Sequence, residues 1–150
     1  MDYMVPNPAA REWTRSGTYV PCLLSAIVLA HEEEQFALVM ESPSGGVFWA
    51  DTGYVEACWN YYVAKNVPYP MIPTHVLILD IVRSLGGTIR QIMVEDYDTG
   101  RKAFSCKLII EQGGRQIDIG CRVSDGLAIS VCAHIPVDVD TGLIGHARRP

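Results

Sequence analysis

The alternation of apolar and polar residues on either side of Gly113-Gly114 is the clearest pattern in the chain. Paired glycines between two alternating stretches are typical of a hairpin with a two-residue turn. Counting outward from the turn gives three apolar pairs: Ile110 with Ile117, Leu108 with Ile119 and Cys106 with Cys121. The intervening residues are mostly polar, so a shift of one residue would mix the two faces. We therefore predict this register, with one face of the hairpin in the core and both cysteines reduced.

Apolar runs and turn residues predict the other elements. The predicted strands cover residues 19–30, 36–40, 47–50, 88–96, 102–111, 115–121 and 135–139. Helices are predicted at about 53–64, 74–85 and 125–133. Small polar residues in front of a helix are typical caps, so we expect Asp51 or Thr52 to cap the first helix and Ser124 the third. Apolar residues cover most of the circumference of the 74–85 helix, which predicts a helix buried on nearly all sides.

The predicted elements follow one another in a repeated order. Three strands and a helix occur at 19–64 and again at 88–133, with the 74–85 helix between them. This order predicts an α+β fold of two β-β-β-α repeats joined by a buried central helix. We assign the domain to residues 18–140, with an N-terminal arm at 1–17 and a C-terminal tail at 141–150.

Composition limits the classes of partner. The chain has 150 residues, of which 49% are apolar, and this is enough for one globular core. A net charge of -5 disfavours tight binding to a nucleic-acid backbone, although a metal ion could bridge acidic residues and phosphate. The apolar stretch at 20–30 is too short to span a bilayer, so no membrane partner is expected. Five cysteines without a C-x-x-C motif indicate reduced thiols in a cytoplasmic protein.

Several motifs in the second half of the chain carry a family resemblance. Thr74-His75 opens an apolar helix that ends at Leu85-Gly86, and the paired glycines of the hairpin follow. Arg122-Val123-Ser124-Asp125-Gly126 then opens another helix, before the strand at Ile135-Pro136-Val137. In this order the motifs resemble the bifunctional nuclease domain family, whose corresponding motif is Arg-Pro-Ser-Asp-Ala. The segment from Trp49 to Glu56-Ala57 is similar to the family's first strand-to-helix junction.

The resemblance implies a fold and an activity. It implies an α+β fold with two β-β-β-α repeats, a homo-oligomer (with a dimer favoured) and, in some members, cleavage of both DNA and RNA. The chain departs from the family pattern at Val76, where an acid is usual, and at Val123, Gly126 and Ile72-Pro73. The acid missing at Val76 is a candidate metal ligand, so the resemblance does not determine the cofactor, for which Mg²⁺ is the candidate.

The turn at 122–125 is the first candidate site. Free N–H groups and the helix dipole attract anions to a helix N-terminus, and Arg122 could bind a phosphate with two hydrogen bonds. Arg122 and Ser124 are therefore candidate substrate-binding residues, and Asp125 is a candidate catalytic residue. The alternative is structural: Ser124 caps the helix, Asp125 complements the dipole, and Arg122 pairs with an acid.

Other candidates surround this turn. His75 is a candidate general base, or simply a polar residue in a helix's first turn. Glu56 is a candidate second carboxylate, and Tyr54 and Trp49 could form an apolar wall for a ligand. We expect these residues to share one cleft with the 122–125 turn. Acidic side chains at Glu95, Asp96 and Asp98 could hold Mg²⁺, but ordinary turn chemistry is the favoured interpretation there.

Two functional hypotheses follow, with a third in reserve. One is a phosphodiester hydrolase acting on DNA and RNA, with His75, Glu56 and Asp125 as catalytic residues. The other is a diverged member that binds or transforms a small organic molecule, which the acidic charge, Val76 and the many aromatic residues of the first half favour. A non-catalytic oligomeric scaffold is the third.

Overall fold

The computed structural model describes residues 15–30, 35–68 and 73–146 of the chain. The strands in these ranges are β1 (Tyr19–Ala30), β2 (Gln35–Glu41), β3 (Gly46–Thr52), β4 (Gly87–Asp98), β5 (Ala103–Gln112), β6 (Arg115–Cys121), β7 (Val137–Asp140) and β8 (Gly145–His146). The helices are α1 (Tyr54–Ala64), α2 (Thr74–Ser84) and α3 (Val123–Ala133), with a 3-10 helix at Thr141–Leu143.

The eight strands form a single sheet with the order β6-β5-β4-β7-β1-β2-β3-β8. Strand β7 lies in the middle and joins two antiparallel groups, because it pairs antiparallel with β1 and parallel with β4. The predicted α+β class is confirmed. In chain order, β1-β2-β3-α1 precedes α2, and β4-β5-β6-α3 follows it.

The predicted hairpin register is confirmed, but its core face is narrower than expected. Cys106 lies opposite Cys121, Leu108 opposite Ile119 and Ile110 opposite Ile117. Leu108 and Ile110 of β5 are buried, whereas Ile117 and Ile119 of β6 are exposed over about half of their surface (40% and 45%). Strand β6 is the edge of the sheet, and α3 packs against β5. The apolar pattern therefore predicted the strand pairing, but it did not show that α3 covers β5 and leaves β6 exposed.

The prediction that the 74–85 helix is buried on nearly all sides is wrong. Leu77 and Ile81 of α2 are 48% and 50% exposed, its C-cap Leu85 is 68% exposed, and only His75 and Leu79 of the helix are buried. The central helix is α3, in which Gly126–Ser130 is a continuous buried run. The reason is position, since α3 packs against the sheet, α1 and α2, whereas α2 meets α3 and β4 on one side.

The two predicted caps also differ from the structure. Gly53 is the N-cap of α1, because Asp51 and Thr52 are still part of β3. Arg122 is the N-cap of α3, with an extended backbone whose carbonyl accepts hydrogen bonds from the N–H groups of Asp125 and Gly126. Ser124 lies inside the first turn and makes no side-chain cap.

Buried Asp140 ties the start of β1 to the end of β7. Its carboxylate accepts hydrogen bonds from the backbone N–H groups of Ser16, Gly17 and Gly142 at 2.8–2.9 Å. Leu143 is then buried in the core, and β8 pairs with β3. Packing therefore continues past the predicted boundary at residue 140. No helix of the described ranges is long and apolar enough to cross a membrane.

Candidate functional site

The N-terminal ends of α2 and α3 meet at a pair of polar side chains. Nε2 of His75, in the first turn of α2, lies 2.9 Å from Oδ1 of Asp125, in the first turn of α3. His75 is buried, because α2 packs against α3 at this point. An ionised carboxylate only accepts hydrogen bonds, so Nε2 of His75 is the donor in this contact.

Asp125 is also held by Arg122 from the preceding turn. Nε of Arg122 donates to Oδ2 at 2.7 Å, and Nη2 donates to Oδ1 at 2.9 Å. These hydrogen bonds, together with the one from His75, hold the pKa of Asp125 below its usual value against the opposing effect of burial. The carboxylate in turn raises the pKa of Arg122, and the negative charge of Glu56 raises it further. Asp125 is therefore an anion held between a guanidinium and an imidazole.

A cleft of about 440 Å³ opens beside this cluster, where α1, α2 and α3 begin. Its polar lining consists of Glu56, Thr74, His75, Arg122 and Asp125. The remainder is apolar: Val55, Trp59, Ile78, Val82, Leu108, Ile110, Ile119, Cys121 and Ile129. A few convergent polar groups on an apolar wall are the usual composition of a ligand site. The cleft can thus hold an anionic group at its rim and an apolar body along its wall.

The structure brings four of the seven candidate residues to this cleft. Glu56, His75, Arg122 and Asp125 line it together. Ser124 lies in the same first turn as Asp125 but does not line the cleft.

The two aromatic candidates lie elsewhere. Tyr54 is exposed and packs against Phe36, with ring centroids 5.5 Å apart. Trp49 belongs to β3 and does not line the cleft. The aromatic side of the cleft is Trp59, which follows Glu56 by three positions on α1 and so lies on the same helical face. That spacing was a usable signal in the sequence.

The acidic residues near the β4–β5 turn have structural partners. Glu95 pairs with Lys107 at 3.0 Å, and Asp98 accepts hydrogen bonds from the backbone of Gly100 and Arg101. Asp96 accepts from the N–H of Tyr97. Within the described ranges, no three His, Cys, Asp or Glu side chains are grouped so that they could hold a metal ion.

Comparison with known proteins agrees with the motifs of the sequence. The family model described as "Bifunctional nuclease domain" matches residues 56–150, which include all four cleft residues named above. Two uncharacterized proteins of Mycobacterium tuberculosis, from strains CDC 1551 / Oshkosh and ATCC 25618 / H37Rv, are each 30% identical over 95 residues. That overlap covers 63% of this chain and 55% of each relative, so the chain spans about half the length of the curated relatives it matches.

Proposed function

Because the chain belongs to the bifunctional nuclease domain family, we propose that it is a phosphodiester hydrolase acting on DNA and RNA, with the cleft at the starts of the three helices as its active site. The observation that carries the proposal is the cluster in which Asp125 joins His75 and Arg122. A histidine oriented by a carboxylate is a common arrangement for a general base, and an arginine nearby suits a phosphate.

In this proposal His75 activates the attacking water. Nε2 of His75 donates its hydrogen bond to Asp125, which leaves the lone pair of Nδ1 to take a proton from water as the new oxygen–phosphorus bond forms. The ester bond to the leaving oxygen breaks, and that oxygen takes up a proton. Glu56 is our candidate for the group that supplies it, since its side chain lines the same cleft.

Arg122 would bind the phosphate that is attacked. A guanidinium has five N–H donors, of which Asp125 takes two, and the Arg122 side chain is 72% exposed. Its charge is thus held in place yet accessible from solvent. The N-terminus of α3, with Ser124 in its first turn, adds partial positive charge at the same position. Trp59 in the cleft offers a ring on which a base could stack.

A small organic anion is the second candidate substrate. The specific observation that favours it is the aliphatic wall formed by Ile78, Val82 and Ile119, which no phosphate backbone requires. The net charge of -5 also makes a long polyanion a poor partner. A diverged member of the family would then use Arg122 for the anionic group and the wall for the organic part.

Incubation with labelled single-stranded DNA and RNA, with Mg²⁺ or with EDTA, tests the hydrolase proposal. We expect cleavage of both polymers and a loss of about 10²-fold or more in the His75→Ala variant, the range typical of a general base. Arg90→Ala is the control for lost surface charge, because Arg90 pairs with Glu111 on the sheet. If neither polymer is cleaved under any condition, the hydrolase proposal fails. Titration calorimetry with an aryl phosphate then tests the small-anion alternative, which predicts binding that Arg122→Ala weakens.

We also propose a homodimer in a reducing, cytoplasmic setting. Leu77, Ile81 and Leu85 form an exposed apolar stripe along α2 at a spacing of four residues, which suits the face of a partner subunit. Light scattering tests this proposal, which expects a dimer that Ile81→Glu converts to a monomer. A monomeric wild-type chain at micromolar concentration would contradict it.

A further inference from the structure

Two free thiols lie together beside the cleft. Cys106 of β5 and Cys121 at the end of β6 are directly opposite each other, and their Sγ atoms are 3.7 Å apart. Both are free cysteines. Cys121 immediately precedes Arg122 and is itself part of the cleft lining. No role proposed above for the cleft uses either thiol.

The space for this pair depends on Gly126. A Cβ added at Gly126 would lie 2.5 Å from Sγ of Cys106 and 3.6 Å from Sγ of Cys121. The missing side chain thus lets α3 approach the hairpin with the Cys106 thiol filling the space between them. The backbone of Gly126 is buried at the N-terminal end of α3, where N–H groups favour negative charge.

The two thiols have different environments. The Sγ atoms of Cys121 and Cys106 are hydrogen-bonded to each other, and this contact, with help from the backbone N–H of Gly126, lowers the pKa of Cys121 against burial and the nearby Asp125 carboxylate. The same hydrogen bond and its own burial raise the pKa of Cys106. Cys121 is also the more accessible thiol, because it is half-buried and lines the cleft, whereas Cys106 is buried. This division suits an attacking thiol beside a resolving thiol.

Both thiols are within reach of small solutes. Cys121 lines the cleft, and both cysteines line a second cavity of about 460 Å³ between the β4–β5 turn and Arg122. Cys22 and Cys132 have no partner thiol among the described hydrogen bonds, and burial raises the pKa of both to about 11.

We propose that Cys106 and Cys121 form an oxidisable dithiol, which a hydroperoxide converts to an intramolecular disulfide next to Arg122. The Cys121 thiolate attacks one peroxide oxygen and breaks the O–O bond. The products are a sulfenic acid on Cys121 and, after protonation, water or an alcohol. Sγ of Cys106 then attacks the Cys121 sulfur, the S–S bond forms, and the hydroxyl leaves as a second water. The thiols lose two electrons, and the peroxide gains them.

The geometry requires only a small movement. A disulfide sets its sulfur atoms about 2.05 Å apart, compared with 3.7 Å here, and opposite residues of neighbouring antiparallel strands lie within the Cα separation that a disulfide spans. Because Cys121 is adjacent to Arg122, oxidation acts on the strand that positions the guanidinium. This inference stands on the thiol geometry and does not depend on the activity proposed for the cleft.

Peptide mapping of the full chain tests the proposal. Trypsin would release Cys106 in residues 103–107 and Cys121 in residues 116–122, each with a single cysteine. After treatment with hydrogen peroxide, alkylation and digestion under non-reducing conditions, we expect these two peptides to be joined. Cys22 and Cys132 serve as internal controls and should remain alkylatable. Failure of the cross-linked peptide to form, while other thiols are oxidised at the same peroxide dose, would overturn the proposal.

Two variants assign the roles. In Cys106→Ser, a sulfenic acid should accumulate on Cys121 and be trapped by dimedone, because no resolving thiol remains. In Cys121→Ser, Cys106 should not be labelled. Equal labelling of the remaining cysteine in the two variants would contradict the assignment of Cys121 as the attacking thiol. The circular dichroism spectrum of each variant shows that the fold is retained.

Discussion

Replacing Leu127 by alanine should cost far more stability than the same change at Leu85. Leu127 of α3 is 0% exposed, while Leu85, at the end of α2, is 68% exposed. Truncation of a fully buried leucine removes its transfer free energy and leaves a cavity, which together cost about 2–5 kcal/mol. Only about a third of the surface of Leu85 is covered, so Leu85→Ala should lower the free energy of unfolding by about 0.5 kcal/mol, which is typical of surface sites. Leu79, buried in α2, should behave like Leu127.

The assay is urea denaturation under reducing conditions, followed by circular dichroism at several protein concentrations. The structure predicts a lower midpoint for Leu127→Ala and Leu79→Ala, and little change for Leu85→Ala. The concentration series separates fold from assembly, because a Leu85→Ala effect that appears only at high concentration reports a subunit contact rather than the core. Equal losses for Leu85→Ala and Leu127→Ala in dilute monomer would refute the central position of α3 and restore α2 as the buried helix.

Three further predictions concern the polar contacts of the fold and the cleft. Hydrogen bonds from Ser16, Gly17 and Gly142 outweigh burial and lower the folded-state pKa of Asp140. The carboxylate therefore stabilises the fold fully above its ordinary pKa of about 3.9, and this stabilisation is lost as the pH falls through the lower folded value. Asp140→Asn should therefore cost about 1.5–3 kcal/mol at pH 7 and much less at pH 2 in urea titrations, and an equal cost at both pH values would contradict this. Gly126→Ala should destabilise by about 1–3 kcal/mol through its clash with Cys106, and Cys106→Ala should recover most of that loss; additive losses in the double variant would argue against the clash. Arg122→Ala should weaken phosphate binding in calorimetry while keeping the melting temperature within a few degrees, because Arg122 caps α3 with its backbone; unfolding at room temperature would show a structural role.

Local patterns in the sequence predicted the hairpin well. The register from Cys106↔Cys121 to Gln112↔Arg115 follows from one turn and one alternation of faces, and both are short-range properties. The same information could not show that Ile117 and Ile119 lie at an uncovered edge, because the cover depends on where α3 packs. For the same reason the apolar residues of α2 did not reveal that only one of its sides would be buried.

The candidate site was predictable in part. The motif positions and the helix starts were enough to group Glu56, His75, Arg122 and Asp125. The roles within the turn differed, because Arg122 rather than Ser124 is the N-cap and its side chain holds Asp125. Apart from Trp59, the apolar wall could not be read from the sequence, since Ile119 joins the cleft lining only after distant elements pack. The 3-10 helix and β8 were also missed, because elements of two or three residues leave no periodic signal.

The most direct test of the account is a mutant cycle on the two residues at the centre of the cleft. Cleavage rates of labelled single-stranded RNA and DNA would be measured for wild type, His75→Ala, Asp125→Asn and the double variant, with Arg90→Ala as control. If Asp125 acts by orienting His75, the double variant should be no slower than His75→Ala alone, because residues that act as a unit are non-additive. Cleavage by His75→Ala at the wild-type rate, or losses that multiply in the double variant, would contradict the proposed site.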